Sequence, residues 1–253
     1  MGNPLQRTSL HRNVRAREDS PAGDAVPASD NLTARVTEAL RQSIVDGEYQ
    51  LGEALSEIRL AANYGVSRTT VREALTSLQR QGLIVIRPQS GSYVFLPSEE
   101  DVAEPCEFRR LLEVAALRLA HARRFNKTLT QMHQALAAMN AATEVDDPRA
   151  YSSADTRFHQ SIIENSANAY LIEAYKLVSG RVGALRSHNL VGANEPRGRS
   201  TAAHRAIANA FEKGDLLRAE EVIDEHVLLM SVSFRSAVRR GMQVVPGDRV
   251  ARA

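Results

Sequence analysis

Asp155, Phe158, His159, Ile162 and Ile163 recur at i, i+3, i+4, i+7 and i+8, which is a single stripe on an α-helix. His204, Ile207, Ala208 and Phe211 repeat the pattern further on. Ala219, Val222, Ile223, His226, Val227 and Met230 do so once more. Each of three helices therefore carries a histidine among its apolar residues, and the first adds a carboxylate one turn away. A buried carboxylate is costly unless it is paired or bound to a cation. One aspartate with three imidazoles is a donor set for a borderline divalent ion such as zinc or nickel, with manganese or iron also compatible. Separate core histidines, each with its own hydrogen-bond partner, would give the same pattern, and spacing alone does not separate the two readings. His188, in a more polar segment, is a weaker member.

A second constellation lies in GVSRTTVREAL (65–75). As a helix it places Val71, Ala74, Leu75 and Leu78 on one face, with Arg68, Thr69, Arg72 and Thr76 on the other. Ser67 can cap it, so Arg68, Thr69, Thr70 and Arg72 fall in the first two turns. Residues near the N-terminus of a groove-binding helix reach base edges, where the arginine fork matches guanine O6 and N7. Free N–H groups at the helix start favour phosphate. Gln89, Ser90 and Gly91, in a following turn, could approach the backbone beside Arg87. A solvated face is the competing reading. Residues 31–97 hold seven arginines against six acids, no basic patch, and Glu73 shares the outer face.

The elements that must position these residues fall into two groups. Residues 33–46 read as a helix with Val36, Leu40 and Ile44 inward, ended by Gly47. Ser56 can cap a short helix, Gly65 supplies a turn, and the third helix runs to Gly82. LIVIR (83–87) and SYVFL (92–96) around a PQSG turn read as a hairpin. That order is a winged helix-turn-helix, over 31–97. A polar linker (98–105) follows, then helices at about 106–124, 129–143, 148–165, 168–190, 198–213 and 216–240. The fold class is mainly α: a winged helix-turn-helix followed by an all-α antiparallel bundle (106–243). Residues 1–30 and 244–253 lack apolar periodicity and read as disordered tails.

With 43% hydrophobic and 25% charged residues, the composition is that of a globular chain. No run reaches the ~20 apolar residues of a membrane span. The arginine-bearing N-terminus has no apolar core for secretion. Cys106 is the only cysteine, which excludes an intrachain disulfide and fits a reducing cytoplasm. The net charge of +2 argues neither for nor against a nucleic-acid partner.

Residues 51–94 resemble the N-terminal domain of GntR-family bacterial transcription regulators, through LSE, LA, GVSRT, VREAL, L..QGL and GSYV in order and at the family's spacing. The resemblance implies contacts to double-stranded operator DNA from Ser67, Arg68, Thr69, Thr70 and Arg72, with Gly91 in the wing and Gln89 beside it. Thr70 stands where many members have proline, and Ile58 where many have arginine. Residues 107–240 resemble the FCD-type effector domain, through EFRRLLEVAALRLAHAR (107–123), DTRFH (155–159), HRAIANAFEKGD (204–215) and His226. This implies Asp155, His159, His204 and His226 as metal ligands and Arg109, four residues before Glu113, as the effector anchor. Ala203 departs from the acid that often precedes the histidine. Six helices point to the VanR-like subgroup. The combined expectation is a cytoplasmic, homodimeric, non-enzymatic repressor. A small organic acid at a divalent metal, zinc first, would release it from a pseudopalindromic operator. A helical metalloenzyme with a DNA-binding appendage and a metal sensor are the alternatives.

Overall fold

The computed structural model of the chain describes residues 28–191 and 197–239. The segment up to residue 27, the tail at 244–253 and the expected break at Asn194 to Pro196 lie outside the described residues.

Helix α1 (Ala28–Val45) opens the fold. It begins inside the stretch expected to be disordered, at Ala28 rather than near residue 33. Helix α2 (Glu57–Tyr64) is capped by Ser56 and ends on Gly65 in the left-handed conformation, at φ 63°. Helix α3 (Arg68–Arg80) buries Val71, Ala74, Leu75 and Leu78, the face its spacing predicted. Strands β2 (Ile84–Arg87) and β3 (Gly91–Val94) form the hairpin, with Ile84 opposite Val94 and Arg87 opposite Gly91. A two-residue strand β1 (Ala54–Leu55), too short to leave a sequence signal, pairs with the other edge of β3. Leu40, Ile44, Leu60, Leu78, Leu83 and Phe95 are buried together beneath this sheet.

Helix α4 (Glu99–Glu144) corrects the expected linker at 98–105, which is helical from Glu99. Ser98 accepts from the Asp101 amide while Asp101 accepts from the Ser98 amide, a reciprocal capping box. Three acids in the first turn complement the dipole, and Pro105 is tolerated inside the helix with its ring buried. The chain breaks regularity at Arg124 (φ −145°, ψ 42°), two residues before the expected break at Asn126, so α4 has two arms. Helices α5 (Pro148–Asn165), α6 (Ala169–Val191), α7 (Arg197–Glu212) and α8 (Leu216–Arg239) complete the bundle. With the two arms of α4 they make six helical segments among the described residues. Leu117, Met132, Met139, Phe158, Ile162, Ile207, Phe211 and Ile223 form its core.

The reading head is seated on the bundle chiefly through α6. Ser187 Oγ donates to the Val45 carbonyl at 2.5 Å, and Arg181 Nε donates to the Gly82 carbonyl at 2.9 Å. A Cβ on Gly183 would stand 2.9 Å from Val45 Cγ1, so only glycine allows this approach of α1 to α6. Val182, Leu185, Val227 and Phe234 extend the head's own apolar cluster into the bundle. No helix among the described residues is long and apolar enough to cross a membrane.

Candidate metal centre and reading face

Asp155 and His159 come from α5, His204 from α7 and His226 from α8. The apolar stripes that carry them pack into one core, which is why four residues spread over 72 positions converge. One ligand atom from each lies within 4.8 Å of all the others, and all four side chains are buried. The stripes left open whether these residues meet, and in three dimensions they do.

The outward sides of two rings are committed. His204 Nδ1 donates to the Ser200 carbonyl at 2.7 Å, and His159 Nδ1 donates to Glu113 Oε2 at 2.9 Å. A carbonyl and a carboxylate only accept, so in each neutral ring Nε2 is left as a lone pair. Those two Nε2 atoms face each other at 3.0 Å, and His226 Nε2 is buried without a hydrogen-bond partner. Asp155 Oδ1 lies 3.4 Å from His204 Nε2, and Oδ2 lies 3.7 Å from His159 Nε2. Lone pairs aimed at one point, with no proton between them, repel until a cation is shared. The donor set therefore fits a divalent ion, which Asp155, His159, His204 and His226 could hold. The outward acceptors fix tautomer and ring orientation, as in many metal sites. The backbone carbonyl of Ser200 does for His204 what the acid missing at Ala203 would do.

Burial pushes all three imidazoles toward the neutral, ligating form. His159 falls well below the ordinary histidine value, mainly by burial, with the positive charge of Arg109 adding to it. His226 falls likewise by burial and by the neighbouring His204 and His159, and His204 is lowered by burial. Burial alone would raise Asp155, but Arg186 above all, then His204 and His159, hold its carboxyl below the usual range. Arg186 Nη1 lies 2.8 Å from Asp155 Oδ2 as an ion pair, and its better-aligned hydrogen bond goes to Thr156 Oγ1 at 2.7 Å.

Arg109 is fully buried, not a surface partner of Glu107 or Glu113. Its Nε donates to Glu113 Oε1 at 2.5 Å and its Nη1 to Met230 Sδ at 3.6 Å, while Nη2 is buried without a partner. Tyr175 donates to the same Glu113 oxygen at 2.9 Å. Glu113, Tyr175 and Arg186 were missed as site residues. Only the four-residue spacing of Arg109 and Glu113 hinted at the first, and nothing local marked the other two. A cavity of about 100 Å³ reaches His226 between α7 and α8, lined also by Arg199, Ser200, Glu225 and Met230. His188 stands apart from the set and donates to the Ala184 carbonyl at 2.8 Å.

On the reading head, Ser67, Arg68, Thr69, Arg72, Gln89 and Gly91 are exposed and Thr70 is half-buried. Ser67 Oγ accepts from the Thr70 amide at 3.1 Å, so the serine is first of all the α3 cap. Arg72 Nε donates to Glu57 Oε2 at 2.8 Å, and Arg68 Nη2 reaches the same oxygen at 3.4 Å. Gln89 (φ 62°) and Gly91 (φ 112°) make the tip of the hairpin, and a Cβ on Gly91 would meet nothing within 4 Å.

A helix-turn-helix head with a wing, fused to a helical bundle around a buried cation-ready site, defines a ligand-responsive DNA-binding regulator. Residues 32–94 match the bacterial regulatory proteins of the gntR family, and residues 104–229 match the FCD domain. The chain belongs to the GntR family of transcription regulators, with an FCD C-terminal domain. It is similar to a protein of Paenarthrobacter nicotinovorans described as a probable D-xylose utilization operon transcriptional repressor, 31% identical over 78% of this chain and 85% of that one. It is also similar to the HTH-type transcriptional repressor RspR of Escherichia coli K12, 28% identical over 81% of this chain and 89% of that one. A crystal structure of a GntR transcriptional regulator from Rhodococcus sp. RHA1 superposes with a TM-score of 0.71 at 26% identity, covering 82% of this chain and 99% of that one.

Proposed function

We propose that this regulator is a homodimeric repressor, and that a small organic acid bound at the divalent-metal site lowers its affinity for operator DNA. The observation that carries the reading is the pair of facing lone pairs of His159 and His204, with the unpartnered His226 Nε2 near them, beside a buried, unpartnered Arg109 Nη2. Asp155, His159, His204 and His226 would hold the ion, zinc first. When bound, it supplies Lewis-acid positions for a carboxylate or hydroxyl oxygen. Arg109 then binds the acid's other end through its free N–H, with Glu113 holding the guanidinium in place. Burial excludes water, so these contacts keep most of their strength.

In this reading residues 31–97 are the DNA-reading unit and 106–243 the effector and dimerisation unit, at work in the cytoplasm. Arg68, Thr69, Thr70 and Arg72 face bases and phosphates, and Ser67, Gln89 and Gly91 bring backbone groups to the duplex. Phe108 and Leu111, exposed apolar residues three positions apart on one face of α4, support a dimer. Two heads would then read the half-sites of a pseudopalindrome. An acid shifts DNA affinity only by preferring one arrangement of the heads. The same α6 holds both the Asp155 partner Arg186 and the seat of α1.

Gel-shift titration of zinc-loaded protein on its upstream DNA, with and without organic acids, tests the reading. Release by an acid supports it, and tighter DNA binding with acid refutes the repressor. Metal-dependent DNA binding indifferent to every acid would identify a metal sensor, and turnover of an acid or ester would identify the enzyme.

A further inference from the structure

We propose that the effector is a dianion, and that Arg186 is the residue that makes it so. This rests on the reading of the bundle site as a metal-plus-acid site and narrows the acid to one charge class. Among the described residues, the charged side chains that are buried are Arg109, Arg186, Glu113 and Asp155, apart from the three histidines of the set. They are one cluster: Arg109 pairs with Glu113, Arg186 with Asp155, and both carboxylates touch His159. The two arginines cancel the two carboxylates, and an imidazole that ligates a cation does so as a neutral donor, so the side chains of the site bring no net charge to the ion. A divalent ion leaves two positive charges uncompensated where water cannot screen them.

Without Arg186 the count would differ. Asp155 would then bring its full charge to the ion, and a monocarboxylate would balance the site. With Arg186 Nη1 at 2.8 Å, the Asp155 charge is already spent. The two guanidinium groups also each keep one buried N–H without a partner, Nη2 of Arg109 and Nε of Arg186. A ligand with two anionic ends answers the charge count, with one end at the ion and the other at Arg109 Nη2. At the mouth of the cavity Arg199 and Glu225 are exposed and of opposite sign, so they do not alter the balance.

The test is calorimetric binding of matched acids at pH 7.5 to full-length zinc-loaded protein: lactate against malate, glycerate against tartrate, and acetate against malonate. Each pair differs by a carboxylate. The expected result is a dissociation constant at least tenfold lower for the diacid in at least one pair, which is about 1.4 kcal/mol. Arg186→Met is expected to collapse that ratio toward one, whereas Arg186→Lys, which keeps the charge, retains it. Dialysed, metal-free protein is expected to lose the preference. Monoacids that bind as tightly as their diacids in all three pairs overturn the dianion while leaving the metal-plus-acid reading intact. So does a preference unchanged in Arg186→Met or in metal-free protein. Should no acid of either class bind zinc-loaded protein, both fall, and protein that takes up no zinc overturns the metal reading itself.

Discussion

Replacing Glu113 by glutamine tests the claim that one buried carboxylate holds the centre together. Three donors converge on it: Arg109 Nε at 2.5 Å, Tyr175 Oη at 2.9 Å and His159 Nδ1 at 2.9 Å. The substitution keeps the shape but removes the charge and turns one acceptor oxygen into a donor NH₂. Arg109, with none of its side chain exposed, is left as an uncompensated buried cation. Breaking a buried pair in this way costs about 3–5 kcal/mol. A folded chain typically has about 5–15 kcal/mol in all, so Glu113→Gln is expected to remove a large share of it. Loss of the acceptor behind His159 should also weaken metal binding about 10–100-fold. Denaturant unfolding of metal-free protein measures the first effect, and competition with a zinc chelator the second. The double variant Arg109→Met/Glu113→Gln should be more stable than Glu113→Gln alone, because the stranded charge is gone. Stability within about 1 kcal/mol of wild type, or a double variant worse than the single, would refute the reasoning.

Arg68→Ala and Arg72→Ala are each expected to weaken operator binding by about 1–3 kcal/mol in a gel shift, with unchanged metal content; if affinity survives both, the exposed face of α3 is only solvated. Gly183→Ala places a methyl 2.9 Å from Val45 Cγ1 and should cost about 1–3 kcal/mol of thermal stability while sparing zinc affinity; an unchanged melt would mean that α1 is not seated on α6. The metal-free protein should lose stability in acid. His159, His204 and His226 have folded-state values below the ordinary 6.5, so between that value and the folded ones the unfolded chain binds more protons. Stability is then complete above about pH 6.5 and falls below it, by up to about 1.4 kcal/mol per pH unit for each histidine. Melting temperatures flat from pH 8 to 5 would contradict this.

The candidate site was legible wherever a side chain's inward aim follows from helical periodicity. Asp155 and His159 one turn apart, and His204 and His226 among aliphatic neighbours, had to face the core. The α3 face was legible for the same reason, since Val71, Ala74, Leu75 and Leu78 leave Arg68 and Arg72 no other direction. The expected linker misled because a Ser, a Pro and a cluster of acids mark both joints and helix starts. The Ser98–Asp101 box, which is local but reciprocal, decided for the helix.

By itself the sequence determined the order of the main helices and the hairpin, the inward stripes, the family and which four polar residues would converge, because each rests on local spacing or a motif. Only the tertiary structure decided that Arg109 is buried rather than a surface ion-pair residue. It alone showed that Glu113 gathers Arg109, Tyr175 and His159, and that Arg186 stands against Asp155. All but the Arg109–Glu113 pair, which lies within α4, join α4, α5 and α6 across 31 to 62 positions of chain. Charge balance in a buried site is a property of the packed helices together, and no one helix's pattern contains it.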